Sequence, residues 1–191
     1  MEYFIWKALA GKGAAVFTDL QNTDDVISIK RGRKLTTSFS DNAFFEMNAR
    51  YPKDKLLEDQ VSNMDKMVLI SPKFADFLRD KALSEVELLN VNIKDHQGNF
   101  SSEIYAIVHT TKVVDCIDQD NSDLVWNKID PDLISGCYAL VLDDEKIGDD
   151  DKIFRLKHLE PYLIVREDFR DTINTAGFTG VNMIEIDEFE A

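Results

Sequence analysis

The residue types able to carry out covalent or acid–base chemistry are few in this sequence, and their spacing works against them. Cys116 and His109 are the one thiol and imidazole close enough in sequence to suggest a nucleophile with its base. Both fall in the apolar run Glu103–Ile117 (EIYAIVHTTKVVDCI), seven residues apart. An odd separation places them on opposite faces of a regular strand, so only a bulge would bring them together. His96 and His158 lack the paired spacing of a metal site. The segment Asp118–Asp123 (DQDNSD) starts like a calcium loop, but its sixth position is not glycine and its twelfth is Ile129 where a glutamate is needed. Gly11 and Gly13 form a GxG without the third glycine or following helix of a nucleotide site. Asp115, Asp118, Asp143 and Asp144 could serve as the carboxylates of a hydrolase or transferase, yet they stand in turns without the aromatic, histidine or glycine-rich neighbours of a pocket. The expectation is no catalytic residue, no metal and no cofactor. Cys116 and Cys137 lie in apolar runs (VVDCI, CYALVL), where buried reduced thiols are expected and a disulfide is the alternative.

Charge is the stronger signal. Asp115 to Asp151 holds 12 carboxylates against Lys128 and Lys146, whereas residues 1–60 carry nine acids and nine bases, so the net charge of −14 arises wholly from residues 61–191. Such a local excess repels nucleic acid and anionic lipid and speeds encounter with a basic protein. The candidate partner-binding residues are Asp118, Asp120, Asp123, Asp143, Asp144, Glu145, Asp149, Asp150 and Asp151. The run Asp143–Asp151 (DDEKIGDDD) is either such a surface or a solvated hairpin. Lys30, Arg31, Arg33 and Lys34 surround Gly32, and in so acidic a chain they are expected on a solvated turn or against the acidic loops rather than on a phosphate. Glu2 and Lys7 argue against a signal peptide at the start, and no apolar run approaches the roughly 20 residues that span a bilayer. A cytoplasmic location is expected.

The elements that position these residues follow from periodicity. Val68–Val91 aligns with Leu163–Ile186 at an offset of 95 residues, with Phe74 on Phe169, Asp76 on Asp171 and Val86 on Val181. Each copy reads strand, helix, strand. Helices are predicted over Pro72–Lys81, with Ser71 as N-cap, and over Glu167–Ala176, with Gly177 as a left-handed stop. Three- and four-residue spacings give each one apolar stripe to bury against a sheet. Duplication and two separate uses of a common unit remain open. Glu103–Ile117, apolar at both parities, reads as one long central strand; Tyr3–Trp6, Cys137–Leu142 and Lys152–Leu156 read as further strands, and Ala43–Ala49 as a short helix capped by Ser40 or Asp41. The fold class expected is α+β, a mixed sheet with two similar strand–helix–strand units. Residues 1–62 would form a small N-terminal subdomain and 63–191 the acidic core, in one continuous fold.

The succession Leu69–Leu78, Val113–Asp118 (VVDCID), Ile153–Leu156 (IFRL) and Ala176–Gly180 (AGFTG), preceded by Ile29–Leu35 (IKRGRKL), resembles a family of immunity proteins of bacterial polymorphic toxin systems, the myxobacterial immunity-protein type formerly filed as a domain of unknown function. The resemblance spans nearly the whole chain. It implies a non-enzymatic cytosolic protein that protects its producer by binding a cognate toxin, and it brings no catalytic residues. The two other readings are a carboxylate-using hydrolase and a scaffolding domain without a toxin partner.

Overall fold

The central strands of this chain bury both faces, and the computed structural model, which describes residues 1–35, 38–83 and 85–189, distributes them between two larger sheets. The chain begins β1 (Tyr3–Lys7), β2 (Val16–Phe17), α1 (Val26–Lys30), β3 (Phe44–Glu46), β4 (Gln60–Asn63) and β5 (Leu69–Ile70). It continues through α2 (Pro72–Asp80), β6 (Val86–Lys94), β7 (Tyr105–Thr110), β8 (Val113–Val114), β9 (Asp123–Trp126) and β10 (Ile134–Ala139). Then come β11 (Ile153–Leu156), β12 (Leu163–Arg166), α3 (Glu167–Ala176) and β13 (Asn182–Glu185).

Six strands in the order β2-β4-β5-β7-β6-β3 curl into a nearly closed barrel. Its two ends approach through the antiparallel bridges Phe17 to Met47 and Gln21 to Phe44. Phe17, Phe45, Val61, Leu69, Val91, Ile93, Tyr105 and Ile107 fill the interior, and Ile29 of α1 completes it. The second sheet has the order β13-β1-β12-β11-β8. The hairpin β9–β10 covers one face of it, burying Cys116, Cys137, Phe154, Leu156 and Ile164.

The two predicted units are both present, and they share an unforeseen topology. In the first, β5 and β6 both run antiparallel to β7, which lies between them; in the second, β12 and β13 both run antiparallel to β1. Each is a split β-α-β unit, completed by a strand from elsewhere in the chain. Ser71 Oγ accepts the Phe74 N–H at 3.3 Å, and Gly177 adopts φ 70°, so both predicted helix boundaries rest on the expected caps. The helices then meet in one core: Phe74 and Phe169 are both buried there, with Trp6, Val108, Ile153 and Val165. Phe74 stacks on Phe178 at 4.0 Å, and Trp6 Nε1 donates to Gln60 Oε1 at 2.6 Å, binding barrel to sheet.

Three expectations are corrected. Ala43–Ala49 contains strand β3 rather than a helix, because Phe45 and Met47 at period two face the barrel interior. Glu103–Ile117 is not one strand: β7 ends at Thr110, and after two residues β8 joins the other sheet, beside β11. The strand predicted at Cys137–Leu142 starts earlier, at Ile134, and stops at Ala139.

At the seam between barrel and sheet lies Arg155, 3% exposed and, among the described residues, in no salt bridge. Its Nε donates to the Thr110 carbonyl at 3.1 Å, Nη1 to the carbonyls of Glu160 at 2.6 Å and Lys30 at 3.3 Å, and Nη2 to that of Ile29 at 3.0 Å. Two of these acceptors belong to the last turn of α1, where the Ile29 carbonyl also takes the Gly32 N–H at 3.3 Å and the carbonyls carry the negative end of the helix dipole. Burial pushes the guanidinium down to about 10, which leaves it charged at neutral pH. The side chain crosses above Gly32, at φ 61°, where a Cβ would stand 2.6 Å from Arg155 Cδ and 2.9 Å from the Thr110 carbonyl oxygen.

Two stability measurements test this packing. Phe74→Ala and Phe169→Ala should each lower the unfolding free energy by ~3–5 kcal/mol in urea titrations, and a loss below ~1 kcal/mol at either would refute the shared core. Gly32→Ala should cost ~2–4 kcal/mol from left-handed strain plus overlap with backbone, although the position is a surface turn by sequence.

Candidate functional site

The acidic stretches of the sequence come together because the chain re-pairs with itself across them. Ile117 bridges Leu142, Asp118 N–H donates to the Val141 carbonyl at 2.9 Å, and Asp143 N–H to the Cys116 carbonyl at 2.7 Å. Asp118–Asp123 and the start of Asp143–Asp151 therefore share one edge of the molecule. Asp115, Asp118 and Asp143 gather round Lys146, whose ammonium is held above its usual range first by the hydrogen bond from Nζ to Asp143, at 3.0 Å, and then by the neighbouring charges. Asp143–Asp151 is not a hairpin; a single 3-10 turn, Asp144–Lys146, and a loop run from Asp143 to β11.

The nine candidate carboxylates divide into two kinds. The Asn121 side chain first, and then the N–H groups of Asn121 and Asp120, all donating to Asp118, keep its carboxyl below the usual range. Asp143 caps the 3-10 turn, and Asp144 lies 3.2 Å from the Met1 amine. Asp151, mostly shielded, pairs with Lys112 at 2.9 Å and accepts the Gly148 N–H. These four hold the loops in shape. Asp120, Asp123, Glu145, Asp149 and Asp150 are exposed, and among the described residues their carboxylates accept no hydrogen bond. The main chain beneath them is fixed all the same, since Arg166 Nη1 donates to the Asp149 carbonyl.

The groups that could do covalent chemistry are dispersed. Cys116 is fully buried, and burial pushes its thiol up to about 12; Cys137 is buried and raised by the same cause. Both are free thiols in an apolar core. His158 Nδ1 donates to the Asp132 carbonyl at 2.7 Å, and its ring meets Trp126 edge-on at 5.3 Å. His109 points into the barrel side of β7, its Nε2 3.2 Å from the Arg33 carbonyl. Asp115 pairs with Lys157 at 2.6 Å. A cavity of about 480 Å³ opens between the end of β1, the β4–β5 turn and the β11–β12 turn. Its polar walls are already engaged: Asp65 binds Lys30 at 3.2 Å and the Leu20 N–H at 2.7 Å, while Asn63 bonds the Met67 backbone. Lys30, expected in solvent or on the acidic loops, thus finds its partner in the β4–β5 turn. Among the described residues there is no group of three or more metal-binding side chains, and no helix is long and apolar enough to cross a membrane.

His109 gives the fold a pH dependence. Because a carbonyl can only accept, Nε2 carries the proton, and buried Nδ1 has no partner among the described residues. Desolvation first, and then the charge of Arg155, lower its pKa. The folded state therefore refuses a proton that the unfolded chain accepts below about pH 6.5, so this contribution to stability is complete above that pH and is lost as pH falls through it. Between pH 7 and 5, His109→Gln should show a shallower fall in unfolding free energy than the parent protein, by up to ~1.4 kcal/mol per pH unit. Parallel stability–pH curves would refute the assignment.

The clamps of the fold lie on the segments that carry the family resemblance. Arg155 of IFRL crosses Gly32 of IKRGRKL, and in AGFTG the Thr179 N–H donates to Asp59 Oδ2 at 3.0 Å while Gly180, at φ 74°, rests against the Gln60 carbonyl. No curated protein sequence matches this chain significantly. A family model described as Immunity protein family (Imm11) matches residues 10–188. That match takes in both split units, the barrel and the acidic edge, and on its extent the chain belongs to the Imm11 immunity protein family.

Proposed function

We propose that this protein neutralises a cognate polymorphic toxin by binding it, and that its acidic edge steers a basic toxin domain into contact. The observation that carries this reading is the pairing of Cys116–Asp118 with Val141–Asp143, which brings Asp120, Asp123 and Glu145 along one edge, with no hydrogen-bond partner for their carboxylates among the described residues. Carboxylates in that state are available to an outside cation, whereas the four anchored ones are spent on the loops. Membership of an immunity protein family supplies the expectation of a toxin partner. The protein acts by occlusion, with no substrate turned over. Its acidic face disfavours nucleic acid and anionic membrane and favours a basic protein. The producer's cytoplasm is where such an inhibitor meets the toxin before export.

Exposed charges at the rim of an interface act on association more than on contact energy. Converting Asp120, Asp123, Glu145, Asp149 and Asp150 together to their amides should therefore slow capture of the toxin domain encoded beside this chain by about tenfold at low salt and flatten the salt dependence. The off-rate should change little, and unfolding free energy by less than ~0.5 kcal/mol. Stopped-flow kinetics at three ionic strengths reads this directly. An unchanged on-rate and salt slope would remove the acidic edge from the mechanism.

A further inference from the structure

The hairpin β9–β10 is covered on one side only. Leu124, Trp126, Ile134, Cys137 and Leu140 turn inward onto the second sheet. On the outside, Val125 is 42% exposed, Tyr138 67% and Val141 38%, while Ile129 at the tip is 95% exposed. Among the described residues the two strands pair with each other as a two-stranded sheet. Outward apolar side chains on a two-stranded ribbon gain nothing from this fold, and a group of them with acids at its rim is the composition of a contact surface.

The ribbon is also held rigid. Ile134 N–H donates to the His158 carbonyl at 2.9 Å, His158 Nδ1 to that of Asp132 at 2.7 Å, and Val141 N–H to Ser122 Oγ at 2.9 Å. A surface already fixed in the free protein loses little conformational freedom on binding.

Resting on the toxin-binding reading above, we infer that Tyr138, with Val125, Val141 and Ile129, is the anchor of the toxin contact, and that its occupant is a basic protein surface with an apolar centre. Charge selects that occupant. Asp118, Asp120, Asp123, Asp130 and Asp132 accompany the ribbon against Lys128 as its one base between residues 118 and 142. A second copy of this chain docking face to face would set those acids against themselves, whereas lysines and arginines ringing an apolar patch would pair with them. The acidic edge then sets how fast the toxin arrives, and the ribbon sets how long it stays.

The test compares Tyr138→Ser/Ile129→Ser with the parent protein, using the toxin domain encoded beside this chain as probe. The double variant should raise the off-rate at least tenfold and leave the on-rate within about twofold, the reverse of the amide series. Tryptophan fluorescence, from Trp6 and Trp126 together, and the urea midpoint should match the parent, which shows that the fold and its ribbon are intact. Ile27→Ser, at a 64% exposed position on α1, should leave both rates unchanged. An unchanged off-rate in the double variant, with the parent still capturing the toxin, overturns the anchor and spares the toxin-binding reading. Failure of the parent itself to bind overturns both. A rise in off-rate from Ile27→Ser alone, or a concentration-dependent dimer that Tyr138→Ser abolishes, would also overturn the anchor, by assigning the toxin to the barrel or the ribbon to a second copy.

Discussion

A charged guanidinium buried without a counter-ion is costly, and Arg155 is tolerated because four main-chain carbonyls take the place of the water it loses. Those carbonyls come from the end of β7, the last turn of α1 and the β11–β12 turn, so one side chain fixes the relation of barrel, plug and sheet. Everything that positions the acidic edge descends from that relation. The chain leaves the barrel at Thr110, β8 pairs with Arg155 and Leu156 of β11, and it leads directly into Asp115–Asp123. Removing the guanidinium would take a hydrogen-bond donor from all four carbonyls at once, a larger loss than that of the side chain's apolar contacts.

Local rules made both helices legible: a serine cap, a first-turn proline, a glycine stop and apolar residues at helical spacing all agreed. The buried phenylalanines followed from the same periodicity. What the sequence hid is non-local. Ala43–Ala49 is apolar at positions compatible with either period, and only closure of the barrel, a contact with β6 far along the chain, decides for the strand. The break between Thr110 and Val113 was masked because only Thr111 and Lys112 separate two apolar, β-prone runs that enter different sheets.

The acidic edge was visible as composition, but its division into structural and free carboxylates was not. An aspartate that caps a turn and one that awaits a partner look alike in sequence; Asp118 and Asp120 differ only in what the backbone offers them. Arg155 left one faint trace, a lone cation in the apolar run IFRL. Gly32, read as part of a basic turn, is instead the gap through which that cation reaches α1. The outer ribbon, with Tyr138 and Val125 in strands of ordinary composition, carried no signal until the inner face was known.

Strand β1 sits between β12 and β13, with Ile5 opposite both Ile164 and Ile184. During synthesis the barrel can form from consecutive strands, but β1 must wait, apolar and unpaired, until nearly the whole chain has left the ribosome. The sheet beneath the β9–β10 ribbon is therefore assembled last. Chains halted before β12 would have a barrel but no ordered platform for the ribbon, so the complete fold would lag synthesis of β13 by the time β1 needs to find its distant neighbours.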